Sequence, residues 1–242
     1  MTENPLKNIA LLIDADNISY KGIDPVLTVM AELGQVNIKR AYGNFAKNNL
    51  ANWDKITHKY GIRPEQQFDL TSGKNATDMA MTIDAIDLLY QGKVDGFGIM
   101  SSDSDFTPLV TRLRQDGLLV YGFGSKAKTP QAFQSACTRF IDIDKLIEGA
   151  ADDSANGRPT DKSPKGEIDD ELIELLGTAL KAAKRDDEGY ASLSEVGNIA
   201  GNRSSFDVRN YGFKRLSDLF QSTGKFKVER RESGHMYVKR LR

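Results

Sequence analysis

Asp14 and Asp16 close the apolar run "LLIDADNISY", and Asp103 and Asp105 close a second one, "GIMSSDSDFTPLV". Between them, "GKNATDMAMTIDAIDLLY" places Asp78 in the first turn of a helix. A carboxylate beside a core strand is costly to bury unless it is paired or bound to a cation. Two acidic pairs at strand ends and an early-helix Asp, gathered at one sheet edge, repel one another unless cations join them. Carboxylate oxygens are hard ligands that suit magnesium or manganese. A site holding one or two such ions activates water and neutralises a phosphate in transit, so the chemistry indicated is phosphodiester hydrolysis. Taken singly, each Asp has a plainer use. Asp16 or Asp105 could cap a helix, Asp78 could favour a helix dipole, and Asp14 could cap a turn. Asp84 falls about 240° further round the helix than Asp78 and is not expected to share its cleft.

Other chemistries are poorly supplied. The 242 residues hold one cysteine, Cys137, and two histidines, His58 and His235, which excludes an internal disulfide and a Cys/His-rich zinc site. At 39% hydrophobic and 28% charged the composition is that of a soluble globular protein. No apolar stretch approaches the ~20 residues of a membrane span. The opening "MTENPLKN" lacks the apolar core of a signal peptide, so a cytoplasmic location is expected.

The elements that must position these acids follow from the hydrophobic pattern. Strands are expected at 8–13, 36–42, 63–68, 96–101 and 118–123, with helices near 24–33, 49–60, 76–90, 106–116 and 130–136. Strands alternating with helices predict an α/β fold, a parallel sheet with helices on both faces. Ligand sites in such sheets gather at the carboxyl ends of the strands, where Asp14 falls. Residues 1–148 form this domain. Residues 149–166, "GAADDSANGRPTDKSPKG", carry no aliphatic side chain larger than Ala and read as a flexible linker. In 167–242, "DDELIELLGTALKAAKR" reads as a helix with Leu172, Leu175, Leu176 and Leu180 on one face. Two shorter helices follow, in "ASLSEVGNIAGN" and "FKRLSDLFQST", then a hairpin turning at Ser233–Gly234. Three helices and a hairpin make a winged helix. Residues 167–200 carry a net charge of −6 and residues 201–242 one of +7, so the basic end is suited to an anionic partner such as nucleic acid.

"LLIDADNIS", "KNATDMAMTIDAIDLLY" and "GIMSSDSDFTPLVTRLRQDGLLVYGFG", in that order, resemble the NYN domain, a branch of the PIN-like ribonucleases, over about residues 7–147. The resemblance implies a divalent-metal-dependent endoribonuclease. It maps the metal carboxylates onto Asp14, Asp78 and Asp103, with Asp105 assisting in catalysis. Asn17 matches the asparagine after the family's first Asp and is assigned to orienting that Asp or contacting phosphate. "FDVRNYGFKRLSDLF" is similar to the LOTUS or OST-HTH domain, which implies RNA binding, or protein docking in some members. Arg203, Arg209, Lys214, Arg215, Lys225 and Lys227 are then candidate phosphate contacts. Tyr211 and Phe213 would stack on bases or pack into the core.

Three further stretches bear on substrate. "RAYGNFAKNN" interleaves Arg40, Tyr42, Asn44, Lys47 and Asn48 at a strand end, a mixture that suits single-stranded RNA unless Tyr42 is buried. Lys74, just before the Asp78 helix, is a candidate phosphate contact or a solvated surface group. "YGFGSKAKTP" resembles a phosphate-cradling turn but lacks a full glycine fingerprint, so a tight strand-to-helix turn is expected. Two other functions stay open: a nuclease-inactive RNA-binding adaptor, and an aspartyl phosphatase of the haloacid dehalogenase class. Against the phosphatase, Asn17 and Ile18 directly follow the second Asp, and no room is left for a cap insertion.

Overall fold

The computed structural model describes residues 6–68, 75–155, 168–204, 206–231 and 234–241, with the backbone alone described for 150–155 and 202. The chain divides near residue 150 into two compact units.

The first unit is a six-stranded parallel sheet. Its strands are β1 (Leu6–Asp14), β2 (Gly34–Gly43), β3 (Arg63–Gln66), β4 (Gly96–Met100), β5 (Leu119–Gly124) and β6 (Arg139–Asp142), in the order β3-β2-β1-β4-β5-β6. Strand β1 is buried on both faces. Ile9, Leu11 and Ile13 face one core while Ala10 and Leu12 face the other, which is why its sequence is continuously apolar rather than alternating. Helices α1 (Ile23–Leu33) and α2 (Ala51–Tyr60) pack against the first core, which includes Met30 and Trp53. Helices α3 (Ala76–Gln91), α4 (Thr107–Gln115) and α5 (Gln131–Ala136) cover the second, through Met81, Leu113 and Phe133. Helix α6 (Ile143–Ala155) ends the unit. From β1 the chain winds outward to β2 and β3, then returns to start again at β4 on β1's other side. The β1–β4 junction is therefore the switch point, the place where sheets of this kind bind ligands at the strands' carboxyl ends.

Two elements depart from the hydrophobic pattern. Strand β6 has only four residues and runs straight into α6, with no glycine or proline between them to punctuate the pattern. Helix α6 continues to Ala155, into the stretch read as linker, where alanines favour helix. The rest of that stretch, 156–167, lies outside the described residues.

The second unit holds α7 (Asp170–Ala182), α8 (Leu193–Arg203), α9 (Leu216–Ser222) and the strands β7 (Ala191–Ser192), β8 (Phe226–Arg230) and β9 (Met236–Arg240). The strands form an antiparallel sheet in the order β7-β9-β8. Asp169 caps α7 by accepting from the Leu172 N–H at 2.8 Å. Leu172, Leu176, Leu180, Val196, Phe220 and Val238 are the heart of its core. Leu175 is only half-buried; Ala179 takes the core position, since it follows Leu172 and Leu176 round the same face. The helix expected at 213–223 begins at Leu216, because a 3-10 turn over Val208–Tyr211 precedes it. Asp207 caps that turn, and Gly212 ends it at φ 77°. Gly234 turns the hairpin at φ 80°, while its expected companion Ser233 lies outside the described residues. Among the described residues no helix is long and apolar enough to cross a membrane.

Candidate functional site

Asp14 is the last residue of β1 and is fully buried. The chain leaves the strand in a tight turn, with the N–H groups of Asn17 and Ile18 donating to the Asp14 carbonyl at 3.3 and 3.1 Å. That turn brings the Asn17 side chain back onto its own strand end. Asn17 Nδ2 donates to Asp14 Oδ2 at 2.9 Å, and Ser101 Oγ donates to the same oxygen at 2.7 Å. Asp14 Oδ1 is buried and has no hydrogen-bond partner among the described residues. Burial raises the Asp14 pKa above the usual carboxylate range, and the nearby Asp16 adds to this, while the Ser101 and Asn17 bonds oppose it.

Ser101 follows β4 and joins the two strand ends. Its Oγ donates to Asp14 and accepts from the Asp103 N–H at 3.0 Å. Asp103 caps a 3-10 turn over Ser104–Phe106, its Oδ1 accepting from the Asp105 N–H at 2.9 Å. Of the two acids here, Asp103 rather than Asp105 is the cap. Asp105 is exposed, and its Oδ2 accepts from Asn75 Nδ2 at 3.1 Å. Asp16 caps no helix: Thr77 Oγ1 donates to it at 2.8 Å and Lys47 Nζ lies 3.8 Å away. Asn75 and Thr77 thus tether the start of α3 to acids of both strand ends.

Asp78 sits in the first turn of α3 and receives the combined field of the others. Its pKa is raised to about 6, by burial first and then by Asp14, Asp103, Asp105 and Asp16. The expected acidic residues therefore gather around one helix start. Among the described residues, no three acidic, histidine or cysteine side chains close into a ligand set.

Asp84 lies on the other flank of α3, as its helical spacing requires. Arg40 Nη1 donates to Asp84 Oδ1 and the Tyr42 hydroxyl to Asp84 Oδ2. Arg40, expected to meet substrate, thus has its guanidinium on a carboxylate of the same fold. Tyr42 is buried, and burial together with Asp84 pushes its phenol above the ordinary range, so it stays a proton donor and no base can stack on it. Asn44 is buried too, accepting from Gln66 Nε2 at 2.9 Å. Lys74 lies outside the described residues.

The 121–130 stretch is a packed strand-to-helix turn. A Cβ at Gly124 would stand 2.7 Å from the Ser101 carbonyl oxygen, so only glycine fits beside β4's end. The Lys126 N–H, which a phosphate cradle would need, donates to Asp142 at 3.1 Å.

In the second unit several candidate phosphate contacts have acids of their own. Arg209 pairs with Asp207 at 2.9 Å, Arg215 with Asp218 at 3.1 Å and Lys227 with Glu229 at 3.7 Å. Arg203, Lys214 and Lys225 are exposed. Tyr211 lies 6.0 Å from the Phe206 ring and, with Phe213, packs against the core. No local pattern points to Arg231, whose guanidinium lies 5.0 and 4.5 Å from the rings of Tyr190 and Tyr237 and bonds Asp186 at 2.6 Å. The acidic and basic ends of this unit thus partly neutralise each other.

The NYN domain family matches residues 8–144, and the OST-HTH/LOTUS domain family matches residues 165–238. An uncharacterized protein of Methanocaldococcus jannaschii is 27% identical over 140 residues, covering 56% of this chain and 55% of that protein. The chain thus spans about half the length of that curated relative. The crystal structure of a protein of unknown function from Vibrio parahaemolyticus matches 60% of this chain and 98% of its own, with a TM-score of 0.50 at 22% identity. That likeness is one of fold.

Proposed function

The chain belongs to the NYN domain family through residues 8–144, and from that premise we propose that it is a divalent-metal-dependent ribonuclease whose second unit binds RNA. The observation that carries this reading is the gathering of Asp14, Asp16, Asp103 and Asp105 around Asp78 at the start of α3, where burial and then those four raise the Asp78 pKa to about 6. Asp103, Asp16 and Asp105 each hold part of the fold, but their mutual repulsion around Asp78 is unfavourable until a cation offsets it. The donor set suits a hard divalent cation, because every candidate ligand is a carboxylate and, among the described residues, Asp14 Oδ1 is buried without a donor. Asp14, Asp78 and Asp103 would hold magnesium or manganese, which when bound supplies charge neutralisation at phosphate and a water of lowered pKa.

The chain's own residues prepare that site. Asn17 and Ser101 engage one oxygen of Asp14 and so leave the other for a ligand. Ser101 also fixes the chain entering Asp103, so one hydroxyl sets the spacing of both strand ends. Asp105, exposed and held by Asn75, would orient a water or take its proton. The second unit offers exposed cations on a winged helix, a shape that holds an RNA backbone without reading its sequence.

The test is incubation of the purified protein with mixed RNA and DNA, with magnesium or manganese against chelator. RNA hydrolysis that needs the metal and disappears in Asp103→Asn supports the proposal; turnover of small phosphate monoesters without RNA cleavage supports a phosphatase instead. One observation favours a nuclease-inactive adaptor: among the described residues, the acids gather without closing into a ligand set. On that reading the protein binds RNA or another protein but leaves RNA intact under every metal condition.

A further inference from the structure

We propose that Asp84, with Tyr42 and Arg40, is a positioning clamp for the metal-binding carboxylates, setting where Asp78 stands relative to Asp14. This rests on the metal-dependent reading above. The acids around Asp78 push against the start of α3, which Met81, Ala85 and Leu88 seat on the second core but whose rotation needs a polar restraint as well. Asn75 and Thr77 hold its first turn, but both do so through bonds to Asp105 and Asp16, acids of the site itself. Asp84 is anchored elsewhere.

Its two donors both come from β2. Arg40 Nη1 takes one carboxylate oxygen and the Tyr42 hydroxyl the other, so the carboxylate is gripped at both ends and cannot swivel. Tyr42 pairs directly with Asp14 in the β1–β2 register, and its carbonyl accepts the Ala15 N–H at 2.8 Å. One residue therefore fixes the chain immediately after Asp14 with its backbone and grips α3 with its side chain. Asp78 and Asp84 lie six positions apart on α3, about 9 Å along the axis and on opposite flanks. A pull on the Asp84 flank resists the rotation and lift that repulsion on the Asp78 flank would cause. Arg63, Glu65 and Asp87 are the other charged groups that line the space beside the clamp. Arg63 is bound to Glu65 at 2.8 Å, and Asp87 is exposed one turn further along α3.

A residue that only stabilised the fold would lower the unfolding temperature and leave the folded protein's metal site unchanged. A clamp shifts the site while the protein remains folded. The experiment compares wild type with Asp84→Asn, Tyr42→Phe, Asp84→Glu and the control Asp87→Asn. It measures manganese affinity by calorimetry, and kcat and KM on RNA against magnesium concentration, with folding checked by circular dichroism. Displacing a reacting group by about 1 Å costs up to ~10²-fold in rate. Asp84→Asn and Tyr42→Phe are therefore expected to lower kcat and weaken manganese binding at least roughly tenfold, with KM for RNA unchanged. Asp84→Glu restores part of both, and Asp87→Asn changes neither. Folded Asp84→Asn and Tyr42→Phe with wild-type manganese affinity would overturn the clamp, whatever the activity. A wild-type protein that binds manganese but leaves RNA intact would overturn the ribonuclease reading, with the affinity ratios still deciding the clamp. If wild type binds no manganese, both fail.

Discussion

Replacing Asp78 by asparagine is expected to stabilise the metal-free protein near neutral pH, although it removes a residue the site needs. Asp78 is raised from the 3.8 of a free carboxyl to about 6, by burial and by four neighbouring carboxylates. The folded state holds this proton more tightly than the unfolded chain does. Its contribution to stability is therefore fully present below about pH 4 and is lost as pH rises through 6. A shift of about two units corresponds to ~3 kcal/mol at most. Asp78 is only half-buried, so solvent screening reduces this to about 1–2 kcal/mol. Losing a favourable charge at the α3 N-terminus takes back a few tenths. The net gain for Asp78→Asn is then about 1 kcal/mol, or roughly 2–4 °C in Tm for a protein of this size. The assay is thermal unfolding in chelator at about pH 8 and about pH 4.5, followed by magnesium at the higher pH. Wild type should gain stability on adding magnesium and the variant little, because a ligand is missing. A variant less stable than wild type at the higher pH, or shifted equally at both, would refute the electrostatic account and make Asp78 a structural residue.

Other consequences follow from the same geometry. Asp14→Asn should leave the metal-free protein at least as stable as wild type, since it removes a buried charge and keeps an acceptor for Ser101; unfolding in chelator would show that the carboxylate itself is structural. Gly124→Ala should cost about 1–3 kcal/mol in urea unfolding, because the new Cβ meets the Ser101 carbonyl at 2.7 Å, and it should also impair the site through Ser101. Neutralising Lys214 and Arg215 should weaken RNA binding. It should also flatten the slope of log affinity against log salt by up to about 1.4 if both touch phosphates of a single strand. An unchanged slope would remove these residues from the RNA interface.

Much of the α/β unit is legible in the sequence because five of its strands are bounded by turn signals, and β1 is apolar on both faces. Strand β6 is not, being four residues long and fused to α6. Asp14, Asp78 and Asp103 could be grouped because parallel strands place their carboxyl ends together, and a helix between such strands starts near the same edge. Ser101 escapes such reasoning. A serine two residues before an acid has no periodicity to mark it, and its role exists only because β1 lies beside β4. Helical spacing alone puts Asp84 on the far flank of α3, but its donors lie more than forty residues earlier on β2, beyond the reach of local pattern. The same limit explains Arg40: a cation at a strand end looks free until the helix that covers it is placed. In the second unit the charge asymmetry is plain, whereas the pairing of Arg231 with Asp186 is not, because it depends on how the hairpin folds back on the loop after α7.

If the carboxylates around Asp78 hold a divalent ion for RNA cleavage, cleavage must need both the ion and those carboxylates. The most direct test is a single-turnover cleavage assay on labelled single-stranded RNA, run with manganese, with magnesium and with chelator, for wild type and Asp103→Asn. Cleavage is expected with either metal and not in chelator, with a loss of at least about 10²-fold in the variant while its circular dichroism is unchanged. Cleavage that persists in chelator, or that Asp103→Asn retains in full, would contradict that role.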